Sequence, residues 1–91
     1  MKPLIDQYHQ MNALVVDVRS PEEFAGGHCP GSINIPLNTL EARYLELDKL
    51  RPLILCCASG GRSGMAMGFL KSKGFDQVIN AGAWTNAAKN T

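Results

Sequence analysis

The chain lacks much of what would place it in several large classes of protein. It has three cysteines in 91 residues, Cys29, Cys56 and Cys57, and two of them are adjacent. That set is too sparse and too badly spaced for the disulfide framework of a small secreted scaffold. It also serves a four-ligand zinc site poorly, because only His9 and His28 could complete it. No metal and no cofactor are expected. An excess of one charge is missing as well: nine Lys and Arg stand against eight Asp and Glu, a net charge of +1. Without a basic cluster to neutralise several phosphates, nucleic acid is not an expected partner. No apolar run approaches the length that spans a bilayer, and the opening Met1-Lys2-Pro3-Leu4-Ile5-Asp6 lacks the apolar core of a signal peptide. The expected location is therefore the cytoplasm, or the periplasm if an export signal has been removed. Repeats and low-complexity tracts are absent too.

What is present is a globular composition, 45% apolar and 19% charged, at a length suited to one modest core. A single domain over residues 1–91, monomeric, is expected. Leu14-Val15-Val16-Asp17-Val18 is a short β-branched run that reads as a buried strand. Ser20-Pro21-Glu22-Glu23 supplies an N-cap, a proline at the first helical position and a capping-box glutamate, so a short helix is predicted up to Gly26-Gly27. Ser32 to Ile35 alternates polar and apolar, as a second strand would. Leu37, Leu40, Tyr44 and Leu47 recur at helical spacing, with Asn38 as cap and Glu41 as its partner, which predicts one amphipathic helix. Leu53 to Cys57 reads as a central strand buried on both faces. A helix is predicted from Ser63, stopped by Gly74. Gln77 to Asn80 is the last predicted strand; Gly82 then turns the chain, and Trp84 to Lys89 form a terminal helical turn. Strands alternating with helices predict an α/β domain, a small, mainly parallel sheet with helices on both faces. Sites in such sheets lie beyond the carboxyl ends of the strands.

The segment that carries chemistry is Cys57-Ala58-Ser59-Gly60-Gly61-Arg62-Ser63, between a buried strand and a helix N-terminus. Unpaired N–H groups at such a terminus favour negative charge, so a thiolate is stabilised and an anion attracted there. The small residues from Ala58 to Gly61 leave the backbone free to close on one point, and Arg62 adds a permanent cation. The plainer reading is that both cysteines fill the core, where cysteine is common. Alternation along a strand separates the pair: Cys56 is expected to face the interior and Cys57 the loop cavity.

These residues resemble the rhodanese family, whose active loop is a cysteine, four residues and an arginine, matched here by Cys57 to Arg62. The resemblance runs along nearly the whole chain. It takes in Asp17-Val18-Arg19 with Pro21-Glu22-Glu23-Phe24, Gly27-His28 with Pro30-Gly31-Ser32 and Asn34-Ile35-Pro36, and Gly74-Phe75 before Val78. Asn80-Ala81-Gly82 and the short N-terminus are similar to the small phage-shock-protein-E type. The resemblance implies a rhodanese-like fold and a thiosulfate-type sulfurtransferase activity with Cys57 as nucleophile. It implies that the Cys57 thiolate takes the outer sulfur of thiosulfate, releases sulfite and passes the sulfur from a persulfide to cyanide in an assay or to a cellular thiol. Ala58, Ser59, Gly60, Gly61, Arg62 and Ser63 would then bind the substrate and hold the persulfide's charge. The implied partners are a small sulfur-containing anion and a thiol or thiol-protein acceptor. Where many family loops place a basic residue directly after the cysteine, Ala58 and Ser59 are neutral, so weak thiosulfate binding is expected.

The same pattern implies structural roles for two charged residues: Arg19 is expected to pair with Glu23, and Asp17 to bond loop backbone. His28 is not expected to act as a base, since an ionised Cys57 needs none. Cys29 reads as apolar filler, with a disulfide to Cys57 that would block the site as the functional alternative. Two rival functions remain. Cys56 to Arg62 has the five-residue spacing of cysteine phosphatases, and a noncatalytic rhodanese-like binding module would keep the fold without the chemistry.

Overall fold

The four segments read as strands become four parallel strands in the computed structural model, which describes residues 2–89. They are β1 (Leu14–Asp17), β2 (Ile33–Asn34), β3 (Leu53–Cys57) and β4 (Val78–Ala83), in the order β2-β1-β3-β4. All five residues of β3 are buried, because it lies between two neighbours and is covered on both faces. Each large aliphatic side chain buried this way contributes about 1.5–3 kcal/mol. Alternation sends Leu53, Leu55 and Cys57 into one core cluster, and Ile54 and Cys56 into the other.

The first cluster is closed by α4 (Gly61–Ser72), through Ala66 and Leu70, and by the segment carrying Leu40 and Leu47. The second is closed by α1 (Lys2–Gln10), through Ile5, and by Ala87 near the C-terminus. This is the expected architecture of helices on both faces. The sequence reading missed α1. Its anchors are the fully buried Ile5 and the His9 ring, whose Nε2 lies 2.7 Å from the Ala87 carbonyl oxygen. The helix α2 (Pro21–Ala25) carries the capping box as read: the Glu23 N–H donates to Ser20 Oγ at 3.2 Å, and the Ser20 N–H donates to Glu23 Oε1 at 3.1 Å.

The terminal turn expected from Trp84 to Lys89 is a 3-10 turn limited to Trp84–Asn86, and three further boundaries differ from expectation. The helix predicted from Asn38 is broken into a 3-10 turn (Leu37–Thr39), α3 (Leu40–Arg43) and a second 3-10 turn (Tyr44–Glu46). Asn38 is not its cap. The Leu37 N–H instead continues the sheet ladder by donating to the Val18 carbonyl at 3.0 Å, and the Thr39 hydroxyl donates to the Pro36 carbonyl at 2.8 Å. The start of the segment is thus tied to the sheet edge, and tight turns let Leu40 and Leu47 both reach the core. The helix α4 starts at Gly61, two residues before Ser63. Gly82 does not end β4: Leu55 pairs with Asn80 and Cys56 with Gly82, so Ala81 is the extra residue of a bulge and the strand continues to Ala83.

Candidate active site at the Cys57 loop

Cys57 ends β3, and the chain must turn within three residues to enter α4. Gly60 makes the turn in the left-handed region, at φ 106° and ψ −14°, which a side chain would disfavour. Its N–H then points back and donates to Cys57 Sγ at 2.9 Å, while Ser63 Oγ lies 3.3 Å from the same sulfur. Burial alone would push this thiol up. The Ser63 hydroxyl and the backbone N–H groups of Ser63, Gly60 and Ser59 outweigh it and hold Cys57 at about 7, below the ordinary 9.0. At neutral pH a large share of the side chain is therefore thiolate, the form in which sulfur is a nucleophile.

Cys56, one residue earlier, has the opposite environment. It is fully buried in the second cluster, and burial first, with Asp17 and Cys29 adding to it, pushes its thiol up to about 12. This removes the nucleophile from the phosphatase reading. It also prevents the two cysteines from chelating one ion, since they occupy opposite faces of the sheet. Among the described residues, no three His, Cys, Asp or Glu side chains are grouped so as to hold a metal ion. Cys29 lies in the Cys56 cluster and Cys57 in the cluster on the other face of the sheet, which speaks for the filler reading of Cys29 against the blocking disulfide.

The charged residues pair differently from the expected pattern. Arg19 binds Asp17, not Glu23. Its Nε donates to both carboxylate oxygens at 3.0 Å and its NH2 group to Oδ2 at 2.8 Å, with a further bond to the Gly27 carbonyl at 2.6 Å. Asp17 also accepts from the Arg19 N–H at 2.9 Å, so the expected bond to loop backbone is present. The indole of Trp84 covers the guanidinium at 4.9 Å, which explains how a buried arginine is accommodated. Glu23 is left to Arg62: two bonds of 2.7 and 3.0 Å join them, and this pairing, ahead of the Ser20 N–H, holds the Glu23 carboxyl at about 2. The arginine read as the permanent cation of the loop is thus already paired. It borders a cavity of about 280 Å³ lined also by Val18, Ser20, Pro36, Leu37 and Asn38.

Of the residues singled out in the sequence, Ser59, Gly60 and Ser63 supply donors to the sulfur. Ala58 and Gly61 are exposed spacers, and Arg62 turns towards Glu23. His28 is outside the loop, stacked on Phe24 at 3.8 Å. The sequence reading missed two residues. Glu23 was read as a helix cap and as the partner of Arg19, not as the partner of Arg62. Asn80, which accepts from Ser63 Oγ at 2.6 Å, was assigned no role. Its signal was legible: a lone amide inside the apolar strand Val78-Ile79-Asn80-Ala81 must find a polar partner.

A thiolate cradled by backbone N–H groups at the carboxyl end of a parallel strand defines the class of site, a cysteine-loop anion cradle on an α/β sheet. The chain belongs to the rhodanese-like family, whose domain matches residues 2–88. It is 39% identical over 79 residues to the "Putative sulfur carrier protein YrkF" of Bacillus subtilis, covering 87% of this chain and 42% of that one. It is 36% identical over 78 residues to the "Thiosulfate sulfurtransferase GlpE" of Stutzerimonas stutzeri, covering 82% and 72%. The solved "Human Single Domain Sulfurtranferase TSTD1" superposes with a TM-score of 0.79 at 29% identity, covering 94% and 89%. The chain spans between 42% and 64% of the length of several curated relatives that it matches. Among the described residues, no helix is long and apolar enough to cross a membrane.

Proposed function

We propose that this chain is a sulfurtransferase that carries sulfane sulfur as a persulfide on Cys57. The observation that carries the reading is the convergence of the Gly60 N–H and the Ser63 hydroxyl on one sulfur atom at 2.9 and 3.3 Å. Similarity to proteins named sulfurtransferase and sulfur carrier supports it. In the first half-reaction the Cys57 thiolate attacks the outer sulfur of thiosulfate. A new S–S bond forms as the old one breaks, and sulfite leaves with the electron pair. The persulfide keeps the negative charge on its outer sulfur, where the loop donors offset it as an oxyanion hole does for oxygen. In the second half-reaction a thiolate or cyanide attacks that outer sulfur, and Cys57 returns as thiolate. The cycle is ping-pong and needs no base once Cys57 is ionised.

Thiosulfate as donor is the finer part of the proposal. With Arg62 held by Glu23 and no second cation in the loop, a dianion is attracted mainly by backbone N–H groups, so a high KM for thiosulfate is expected. The decisive assay is thiosulfate:cyanide sulfurtransfer by the wild type and by Cys57→Ser. Thiocyanate formation by the wild type alone is the expected result. Equal rates in both would overturn the assignment, and no activity with thiosulfate combined with persulfide formation from an organic persulfide would restrict the revision to the donor.

A further inference from the structure

The Ser63 hydroxyl has one hydrogen and two acceptors. Cys57 Sγ lies 3.3 Å from its oxygen, and Asn80 Oδ1 lies 2.6 Å away. Only one of them can take the hydrogen at a time. Asn80 is held in place by two further bonds: its Oδ1 accepts from the Gly82 N–H at 2.9 Å, and its Nδ2 donates to the Gly60 carbonyl at 3.1 Å. Gly60 is the residue whose N–H meets the Cys57 sulfur, so the same amide side chain holds the Ser63 hydroxyl and the carbonyl of Gly60, two of the residues that bond this atom.

The chain makes room for this arrangement. Alternation from Val78, which packs with Leu55 and Cys57, sets Asn80 on the Cys57 face of the sheet, and the bulge at Ala81 follows directly after it. A Cβ on Gly64 would stand 3.4 Å from Asn80 Nδ2, and one on Gly60 would stand 3.3 Å from the Gly82 Cα. The Gly64 contact is an ordinary one, but the Gly60 contact is against backbone and tighter than most side chains adopt, so the close approach of β4 to the loop depends on the absence of a side chain at Gly60.

We infer that Asn80 is a positioning residue for Cys57, setting through Ser63 and Gly60 how readily the sulfur takes up negative charge. In the thiol state the Ser63 hydroxyl donates to Asn80 Oδ1, and its oxygen is free to accept from the Cys57 S–H. In the thiolate state the hydroxyl turns to sulfur, and Oδ1 keeps the Gly82 N–H as its donor. No atom beyond the hydroxyl hydrogen has to move, because Nδ2 fixes the loop in both states. The inference deepens the persulfide reading and rests on it for its role in catalysis, but the exchange itself concerns only the charge on Cys57.

The test therefore reads ionisation, not sulfur transfer. Asn80→Asp keeps the size and the Oδ1 acceptor, replaces the donor to the Gly60 carbonyl by an oxygen, and strengthens the rival for the hydroxyl. The pH dependence of Cys57 alkylation, with thermal melting as the check on folding, is expected to move to higher pH. Alkylation at pH 7 then slows by about five-fold if the midpoint rises from about 7 to about 8. In a Ser63→Ala background the same substitution is expected to move the profile by much less, since its main route is gone. An unchanged profile in a folded Asn80→Asp protein, or an equal displacement with and without the Ser63 hydroxyl, would overturn the inference. If Asn80→Asp does not fold, the wild type decides by NMR. The Gly82 amide proton is expected to titrate with Cys57 and to be flat in Cys57→Ser, and a flat response in the wild type would equally overturn the inference. Absence of sulfurtransferase activity with the expected titration would sink the functional reading and leave this one standing.

Discussion

Cys56 and Cys57 are neighbours in the chain, both buried, on the same strand, and their thiols lie at about 12 and about 7. Burial acts on both in the same direction. The difference comes from the faces of the sheet. Cys56 enters a cluster with Ile5, Val15, Cys29, Ile54 and Ala87, where burial dominates and the carboxylate of Asp17 adds to it. Cys57 enters the other face at the point where the strand stops and α4 begins, so its sulfur meets N–H groups that have no helical carbonyl to bond. A hydrogen-bonding loop thus offsets the cost of burying charge, and a change of one residue in position decides whether a cysteine is inert or reactive.

The sharpest way to break this comparison is to remove each sulfur. Cys57→Ser is expected to lower sulfur transfer at least about a thousand-fold, whereas Cys56→Ala leaves the rate within about two-fold and lowers stability by about 1–2 kcal/mol through the lost volume. Steady-state assays and chemical unfolding measure the two outcomes, and the reverse order would dissolve the distinction between the faces.

Removing one donor is a smaller intervention. Ser63→Ala is expected to raise Cys57 from about 7 towards the ordinary range, reducing iodoacetamide reactivity at pH 7 by about five-fold and leaving the plateau at high pH intact. In the wild type, alkylation is expected to climb about ten-fold per pH unit below 7 and to flatten above it. The sign follows from the depressed value: the charged form gains as pH rises through about 7 and is lost as pH falls below it. Glu23, held at about 2, stays ionised across that whole range, so the Arg62 pair adds no second inflection. A bell-shaped or two-step profile in alkylation would show that another group governs the loop.

The smallest expected effect concerns the clasp over the loop. Glu23→Gln keeps a capping-box side chain but releases Arg62 from its carboxylate. The KM for thiosulfate is expected to fall about two- to five-fold, with a steeper dependence on ionic strength, while the rate at saturation changes little. An unchanged KM would show that the pair does not compete with the donor anion.

Much of this site was legible before the structure. The run Leu53 to Cys57, the glycine loop and the start of a helix gave the position of the thiol, and strand alternation gave its orientation. The partners of the charged residues were not legible, because ion pairs depend on the distance between segments remote in sequence. Arg19 has Asp17 two residues away and Glu23 four away, and the fold selects Asp17 by bringing Arg62 to Glu23 across 39 positions. The helix α1 escaped for a related reason: Ile5 alone gives it little pattern, and its docking against the second cluster supplies the rest. Likewise the broken helix after Pro36 has the right apolar spacing, but a bond to the sheet edge overrides the cap. The bulge at Ala81 leaves no mark in composition, and the bonds from Asn80 to Ser63 and Gly60 cross 17 and 20 positions that no local pattern joins.

The most direct test is peptide-level mass mapping after brief treatment of the wild-type protein with a sulfane-sulfur donor, followed by alkylation. The account predicts one added sulfur atom, on Cys57, removed again by cyanide. Sulfur on Cys56 or Cys29, or a Cys57 that stays unmodified with every donor, would contradict it.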